Sequence, residues 1–398
     1  MSESFPALRL KRNEERRLRA GHLWVFSNEV DVASTPLTAL EPGDPVEIQD
    51  HHGRAIGSGY ANPRSLICAR LLSRDHRYPF GPSLIVHRLK VALSLRERLY
   101  RQPYYRWVYG ESDGLPGLVV DRYGELLVVQ VTTAGMERQL EAILDALDKL
   151  LHPAAVLLRN DAGVRELEGL PLYVRPARGE VPTEIEVPEG GARFRVALAA
   201  GQKTGWFYDQ ADNRARLRDL ARGGRVLDLF SYVGAWGVQA ALAGAESVLC
   251  VDESGAAVEQ IGVNAVLNGV EARLQAERAE AFAALRELRE ARERFDLVIV
   301  DPPAFIKRKK DLKEGVQAYR RLNQMAMQVL NRDGLLVSCS CSYHLPRESL
   351  VEQMNAAARH LDRGLQILYH GYQGPDHPIH PAIRETEYLK AVFARVVL

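Results

Sequence analysis

Two side chains of this sequence are the best placed to act on one flat ring. One is the acid of a proline-stiffened turn, Asp301-Pro302-Pro303-Ala304-Phe305, and the other is Cys341, forty residues on. Each closes a strand-like run, Phe295 to Val300 before the acid and Gly334 to Ser340 before the thiol. Neighbouring strands would bring the two ends together. The carboxylate of Asp301 can hydrogen-bond the ring nitrogen or amino group of cytosine. Pro302 and Pro303 remove two backbone donors and hold the turn open, so that a base can stack on their rings or on Phe305. Carbon 5 of cytosine is too weak a nucleophile to take a methyl group unaided. Thiolate addition at carbon 6 makes carbon 5 enamine-like, and loss of the carbon 5 proton after transfer releases the thiol. Period-2 alternation puts Cys339 and Cys341 on one sheet face, but only Cys341 falls at the strand end. Cys339, Cys68 and Cys250 read as core. The basic run Lys307, Arg308, Lys309, Lys310, Lys313 follows the turn, where it would favour thiolate and, through Lys307, meet substrate phosphate.

Such chemistry needs a donor site. Val226 to Phe230 reads as a strand, followed by Ser231-Tyr232-Val233-Gly234-Ala235-Trp236-Gly237 and a helix. A strand, a glycine-containing turn and a helix N-terminus build a nucleotide-type cleft, and Gly234 and Gly237 would let backbone approach a ligand. Asp252, 24 residues after Asp228, ends the next strand where an acid accepts from ribose hydroxyls. The third glycine of a dinucleotide fingerprint is missing, and Asp228 would repel a pyrophosphate. A carboxylate there suits the sulfonium and ammonium of S-adenosylmethionine, which is favoured over NAD. Phe230 closes the strand run and Ser231 opens the turn, both at the expected cleft. Glu280, Ala281 and Phe282, after the third strand, are placed to meet adenine, although Phe282 is equally a core residue.

These side chains need a scaffold. From about residue 192 the pattern alternates strand and helix, with strands at Arg225–Leu229, Ser247–Val251, Arg273–Ala276, Phe295–Val300 and Gly334–Cys341. Helices fall at Ala235–Ala243, Ala256–Leu267 and Val316–Leu330. This predicts an α/β fold with a doubly wound parallel sheet, ended by an antiparallel pair at Leu365–His370 and Tyr388–Val397. Residues 1–75 read as a small β-rich domain, 76–187 as a central α+β domain, and 188–398 as the catalytic domain. Within 76–187, Ile85–Arg101 and Met136–Leu151 have helical spacing, Gly117–Val131 reads as a hairpin and Leu157–Asn160 as a strand. Pro176–Gly191 is the expected linker or hairpin boundary. The length, 398 residues, exceeds what one core serves. The net charge of +1 excludes a polycation overall, so nucleic-acid binding would rest on local patches, the second being Arg9, Lys11, Arg12, Arg16, Arg17 and Arg19. Four scattered cysteines without CxxC spacing argue against disulfides and structural zinc. No apolar run is long enough to span a bilayer and the charged N-terminus is unlike a signal peptide, so a cytoplasmic location is expected.

Together these residues resemble the bacterial large-subunit rRNA (cytosine-5) methyltransferase family of RlmI type, over nearly the whole chain. Gly21-His22-Leu23-Trp24-Val25-Phe26 and Gly57-Ser58-Gly59-Tyr60 are similar to the family's PUA domain, which implies RNA binding. Gly110 to Leu118 is similar to the opening of its central domain. Gly201-Gln202-Lys203-Thr204-Gly205-Trp206-Phe207, with Asp209-Gln210 and Asn213-Arg214, implies a loop beside the cofactor that enlists Gln202 and Lys203. Ser340-Cys341-Ser342 matches the catalytic segment, which makes Cys341 the implied nucleophile. Asp376-His377-Pro378 and Glu387-Tyr388-Leu389-Lys390 match the closing hairpin. Ala304 replaces a frequent lysine. The turn lacks the second cysteine of the wider cytosine-5 RNA enzymes, which leaves proton removal to another base or to water. The resemblance implies large-subunit rRNA as partner and suggests a homodimer.

Two rival readings fit the same residues. One is a related rRNA methyltransferase acting on a guanine nitrogen or an exocyclic amine, which needs no thiol. The other is a non-catalytic RNA-binding assembly factor that keeps the cofactor fold.

Overall fold

Seven strands form the sheet that carries the site: β1 Arg225–Leu229, β2 Ser247–Asp252, β3 Leu274–Arg278, β4 Phe295–Val300, β5 Leu330–Ser340, β6 Gly364–Gly371 and β7 Lys390–Val397. Their order is β3-β2-β1-β4-β5-β7-β6. The first five are parallel, and β7 runs antiparallel to both β5 and β6. The helices between them are α1 Ala235–Leu242, α2 Gly255–Leu267, α3 Ala281–Glu290, α4 Leu312–Gln328 and α5 Arg347–His360. The sheet is therefore the doubly wound one expected, with its terminal antiparallel pair. The chain winds from β1 outward to β3, then crosses to β4 on the other side of β1. The β1–β4 junction is thus the topological switch point, where crevices open beyond the carboxyl ends of the strands.

This is a computed structural model describing residues 5–75, 77–199, 201 and 204–398. Contacts divide the chain into two compact units, and the sheet lies in the unit made of Glu184–Val196, Phe207–Gly374 and Glu387–Leu398. β1 and β4, broken by Asp228 and Asp296, are mostly apolar because parallel strands are covered on both faces. Leu227, Leu229, Val298 and Val300 are all fully buried, packed with Tyr319, Leu322 and Ala326 of α4. Each such aliphatic side chain stabilises the fold by roughly 1.5–3 kcal/mol, enough in sum to carry one buried carboxylate, Asp228, in the same sheet.

The other unit comprises Met1–Thr183, Ala197–Trp206 and Pro375–Thr386. It holds two five-stranded sheets, the first built from Ala7–Arg9, Trp24–Phe26, Asp44–Gln49, Ala55–Ala61 and Ile67–Ser73. The second contains Tyr104–Tyr109, Leu118–Tyr123, Leu126–Val131, Ala155–Asn160 and Tyr173–Arg178, with the helix Pro82–Leu99 packed on it. The helix expected over Met136–Leu151 is interrupted at Gln139, giving Ala134–Arg138 and Leu140–Leu151.

Of the two expected alternatives, linker or hairpin boundary, the stretch Pro176–Gly191 takes the second, and the division between the two units falls within it, after Thr183. Pro176 lies in the edge strand Tyr173–Arg178 at a register shift, one of the few sheet positions a proline tolerates. Gly190 and Gly191, at φ +60° and +85°, turn a hairpin between Glu184–Glu189 and Ala192–Ala197.

Candidate active site

Asp301 follows the last residue of β4, and its carboxylate is fixed from two sides. Gln210 Nε2 and Trp236 Nε1 each donate to Asp301 Oδ2 at 3.0 Å. Gln210 is itself oriented by Asn213, whose Nδ2 donates to Gln210 Oε1 at 2.7 Å. Trp236 sits in the first turn of α1, so the helix that opens the glycine turn also holds the acid. Sequence reasoning singled out Gln210 and Trp236 only as motif members. Their signal was a polar and an indole group in segments that bracket the expected cleft.

Register places the thiol beside the acid. Val300 of β4 pairs with Ser338 of β5, so the turn after β4 and the end of β5 leave the sheet side by side. Cys341 Sγ lies 4.0 Å from the carbonyl oxygen of Pro302. Of the four cysteines, Cys68, Cys250 and Cys339 are buried and Cys341 alone is half-buried. Burial pushes the Cys68 thiol up to about 12. Burial, with the charge of Asp301 next, also holds the Cys339 thiol well above its ordinary range. Only Cys341 is open to a reactant.

A hydroxyl cluster anchors the thiol's backbone. Tyr319 Oη, buried on α4, lies 2.9 Å from both Ser340 Oγ and Ser342 Oγ. Ser342 Oγ accepts from the backbone N–H of Ile306 at 3.1 Å, tying the thiol's strand end to the Asp-Pro-Pro turn. Lys390, buried at the start of β7, donates from Nζ to the carbonyl oxygen of Ser342 at 2.6 Å. Lys390 enters the sequence reading only as a member of the closing-hairpin motif and Tyr319 not at all, and the fold brings both to the strand end that carries Cys341.

Around the turn, Pro302 is buried, Pro303 exposed and Phe305 half-buried. The Phe305 ring leans on Tyr319, with centroids 4.8 Å apart. Lys307, Arg308, Lys309, Lys310 and Lys313 are all exposed, and Arg308 pairs with Asp311. In the N-terminal basic group, Arg17 is held by Glu29 and Arg19 by Asp50.

At the end of β1, Phe230 and Tyr232 both adopt positive φ, +63° and +51°, which is strained for side-chain-bearing residues and is retained here at the mouth of the switch point. Ser231 Oγ donates to the Asp228 carbonyl at 2.7 Å and accepts from Val251 N–H at 3.0 Å, so it laces β1 to β2. Asp252 Oδ2 accepts from Tyr232 N–H (2.9 Å) and Oδ1 from Ser254 N–H (3.0 Å). Glu280 caps α3, accepting from the N–H groups of Phe282 and Ala283 at 2.9 Å, and Ala281 is buried behind it. Gly234, at φ +83°, has the left-handed conformation that suits glycine. Gly237 serves packing rather than ligand approach, because a Cβ there would collide with Cys250 Sγ on β2. Gln202 and Lys203 lie outside the described residues.

The donor set fits a cationic ligand. Asp228 is fully buried; its Oδ2 accepts from Gly237 N–H at 3.1 Å, while Oδ1 has no hydrogen-bond partner among the described residues. Burial first, then the charge of Asp301, pushes the Asp228 carboxyl up to about 8. Two carboxylates that raise each other's cost of ionisation, one with an unmet acceptor, are relieved by a positive charge and made worse by a phosphate. Among the described residues no group of three or more His, Cys, Asp or Glu could hold a metal ion, and no helix is long and apolar enough to cross a membrane.

Comparisons with known proteins agree with this geometry. Residues 8–74 match the PUA-like domain family, and residues 174–384 match the S-adenosylmethionine-dependent methyltransferase family. A ribosomal RNA large subunit methyltransferase I from Salmonella arizonae is 34% identical, covering 99% of this chain and 98% of its own length. A solved structure from Streptococcus mutans, assigned as a SAM-dependent methyltransferase, superposes with a TM-score of 0.83 at 18% identity, covering 98% of this chain and 100% of that one. A methyltransferase solved in complex with SAH gives 0.84 at 19% identity, with the same coverage. These two likenesses establish the fold, which is that of class I methyltransferases.

Proposed function

Since the chain belongs to the ribosomal RNA large subunit methyltransferase I family and uses S-adenosylmethionine, we propose that it methylates carbon 5 of a cytosine in large-subunit rRNA through a covalent adduct at Cys341. The single observation carrying this reading is the position of Cys341. It is the one accessible thiol, its sulfur is 4.0 Å from the Asp-Pro-Pro turn, and it stands at the carboxyl edge of the sheet. Methylation of a guanine nitrogen or an exocyclic amine would give that thiol nothing to do.

In this reading Asp228, Phe230, Ser231, Gly234, Asp252, Glu280 and Ala281 hold the cofactor. Asp228 and Asp301 balance its positive charge, and Asp252 accepts from its ribose. Bound there, S-adenosylmethionine supplies an electrophilic methyl carbon. A cytosine leaves its stack and enters beside the turn, where the Asp301 carboxylate accepts from its amino group, with Pro302, Pro303 and Phe305 as its walls. The thiolate of Cys341 adds to carbon 6, and the electron pair of the 5,6 double bond becomes available at carbon 5 for methylation. When carbon 5 then loses its proton, that electron pair reforms the double bond and expels the Cys341 thiolate. Lys307 and its basic neighbours hold the flanking phosphates. Residues 1–75 form the RNA-binding PUA-like domain, 76–187 the central domain and 188–398 the catalytic domain.

Nucleoside mass spectrometry of rRNA from cells with and without the protein tests the reading. It predicts 5-methylcytidine lost from large-subunit rRNA on deletion and restored by the wild-type chain, not by Cys341→Ala. A lost methylguanosine, or full restoration by Cys341→Ala, would contradict it.

A further inference from the structure

We infer that Lys390 is a positioning residue for Cys341, its buried ammonium holding the reactive strand end in place and stabilising the thiolate. The inference deepens the cytosine-5 reading and rests on it.

Lys390 begins β7 directly opposite Ser340 in the antiparallel pair with β5. It is 5% exposed, and a lysine is almost never that deep unless a partner compensates it. The hydrogen-bond partner of its Nζ is neutral, the carbonyl oxygen of Ser342, at 2.6 Å. That bond fixes the residue after Cys341, while the Tyr319 hydroxyl fixes the side chains on either side of it. The charged groups facing Lys390 come from three elements: Cys341 at the end of β5, Arg347 on α5, and Glu387 in its own chain just before β7. Arg347 opposes an ammonium, and Glu387 and an ionised Cys341 favour it. Burial is the largest influence and lowers the lysine to about 8, with the Cys341 charge next and opposing it. An ammonium kept in a dry site at this cost gives most when an anion forms beside it, as happens when Cys341 loses its proton.

Alkylation of Cys341 by iodoacetamide, followed on the full-length protein by peptide mass spectrometry from pH 6 to 10, tests this without turnover. Lys390→Met is expected to slow alkylation at pH 7 about tenfold or more, one unit of lost charge stabilisation being a factor of ten, with Lys390→Arg close to wild type. A rate in Lys390→Met equal to wild type overturns the inference. A reciprocal measurement covers the case in which Lys390→Met fails to fold. The Lys390 side-chain titration, followed by NMR of labelled lysine, should move to lower pH in Cys341→Ala, and an unchanged midpoint would also overturn the inference. The two readings fail differently. Full methylation by Cys341→Ala removes the cytosine-5 reading, whereas wild-type alkylation in Lys390→Met beside an inactive Cys341→Ala removes only the role of Lys390.

Discussion

At the residue scale, charge placement decides what the site can do. Asp301 is held by two neutral donors, so Asp301→Asn keeps its shape while removing the acceptor that a cytosine amino group needs. Single-turnover methyl transfer by Asp301→Asn is expected to fall about a hundredfold, the usual scale for one preorganised polar group. Asp228 makes a second prediction, with a defined sign. Its folded-state carboxyl is raised to about 8, so between the ordinary carboxylate range and pH 8 the folded cofactor-free protein holds a proton that the unfolded chain does not. Its contribution to stability must therefore fall as pH rises through that window, by at most about 1.4 kcal/mol per pH unit, and level off above pH 8. Denaturant melts from pH 6 to 8 should show this slope in the cofactor-free protein and a flatter one in Asp228→Asn.

At the element scale the switch point between β1 and β4 does the positioning, and much of it was legible. After Arg225, β1 is apolar but for Asp228, and β4 is apolar but for Asp296; a tight turn ends the first and Asp301 the second, and their boundaries match those read from the residues. β5 was read too short, because Asn331 to Gly334 are polar. The ladder to β4 shifts there, from Phe295–Leu330 to Leu297–Leu335, so those residues interrupt the pattern inside a real strand. Cys341 and Asp301 were visible because each closes such a run. Gln210, Trp236 and Lys390 were visible only as motif members and Tyr319 not at all, since nothing in local spacing tells a buried partner of the site from ordinary core. Gly237 was misread for the same reason: its smallness faces Cys250, not a ligand. Gly237→Ala should cost about 1–3 kcal/mol by overpacking α1 on β2, as measured by urea unfolding. Cys250→Ala in the same chain should recover much of that loss.

At the scale of the whole molecule, a chain of net charge +1 must bind RNA through local fields. The cluster after the Asp-Pro-Pro turn is exposed, whereas the N-terminal group spends Arg17 and Arg19 on internal pairs. Replacing Lys307, Lys309, Lys310 and Lys313 by Gln should therefore weaken binding to an rRNA fragment. The slope of log affinity against log salt should flatten by about 0.7 for each single-strand phosphate that is no longer neutralised. An unchanged slope would move the RNA path elsewhere. In the unit that contains residues 375–386, hydrogen bonds hold the returning chain to the helix Pro82–Leu99 and to the sheet strand Tyr104–Tyr109. Arg96 binds Asp113 at 2.6 Å and the Asp376 carbonyl at 2.7 Å, and the N–H of Arg106 donates to Asp376 Oδ2 at 2.8 Å. Asp376-His377 stood out in the sequence only as a motif, because its partners lie some 270 residues earlier.

The thiol's role is tested most directly by trapping. An rRNA fragment carrying 5-fluorocytidine gives an adduct that cannot shed a carbon 5 proton, so after methyl transfer the carbon–sulfur bond should persist. Mass spectrometry of the denatured complex should find the methylated nucleotide attached to the peptide containing Cys341. Methyl transfer to unmodified rRNA at the wild-type rate, with no such adduct from the fluorinated fragment, would contradict the account.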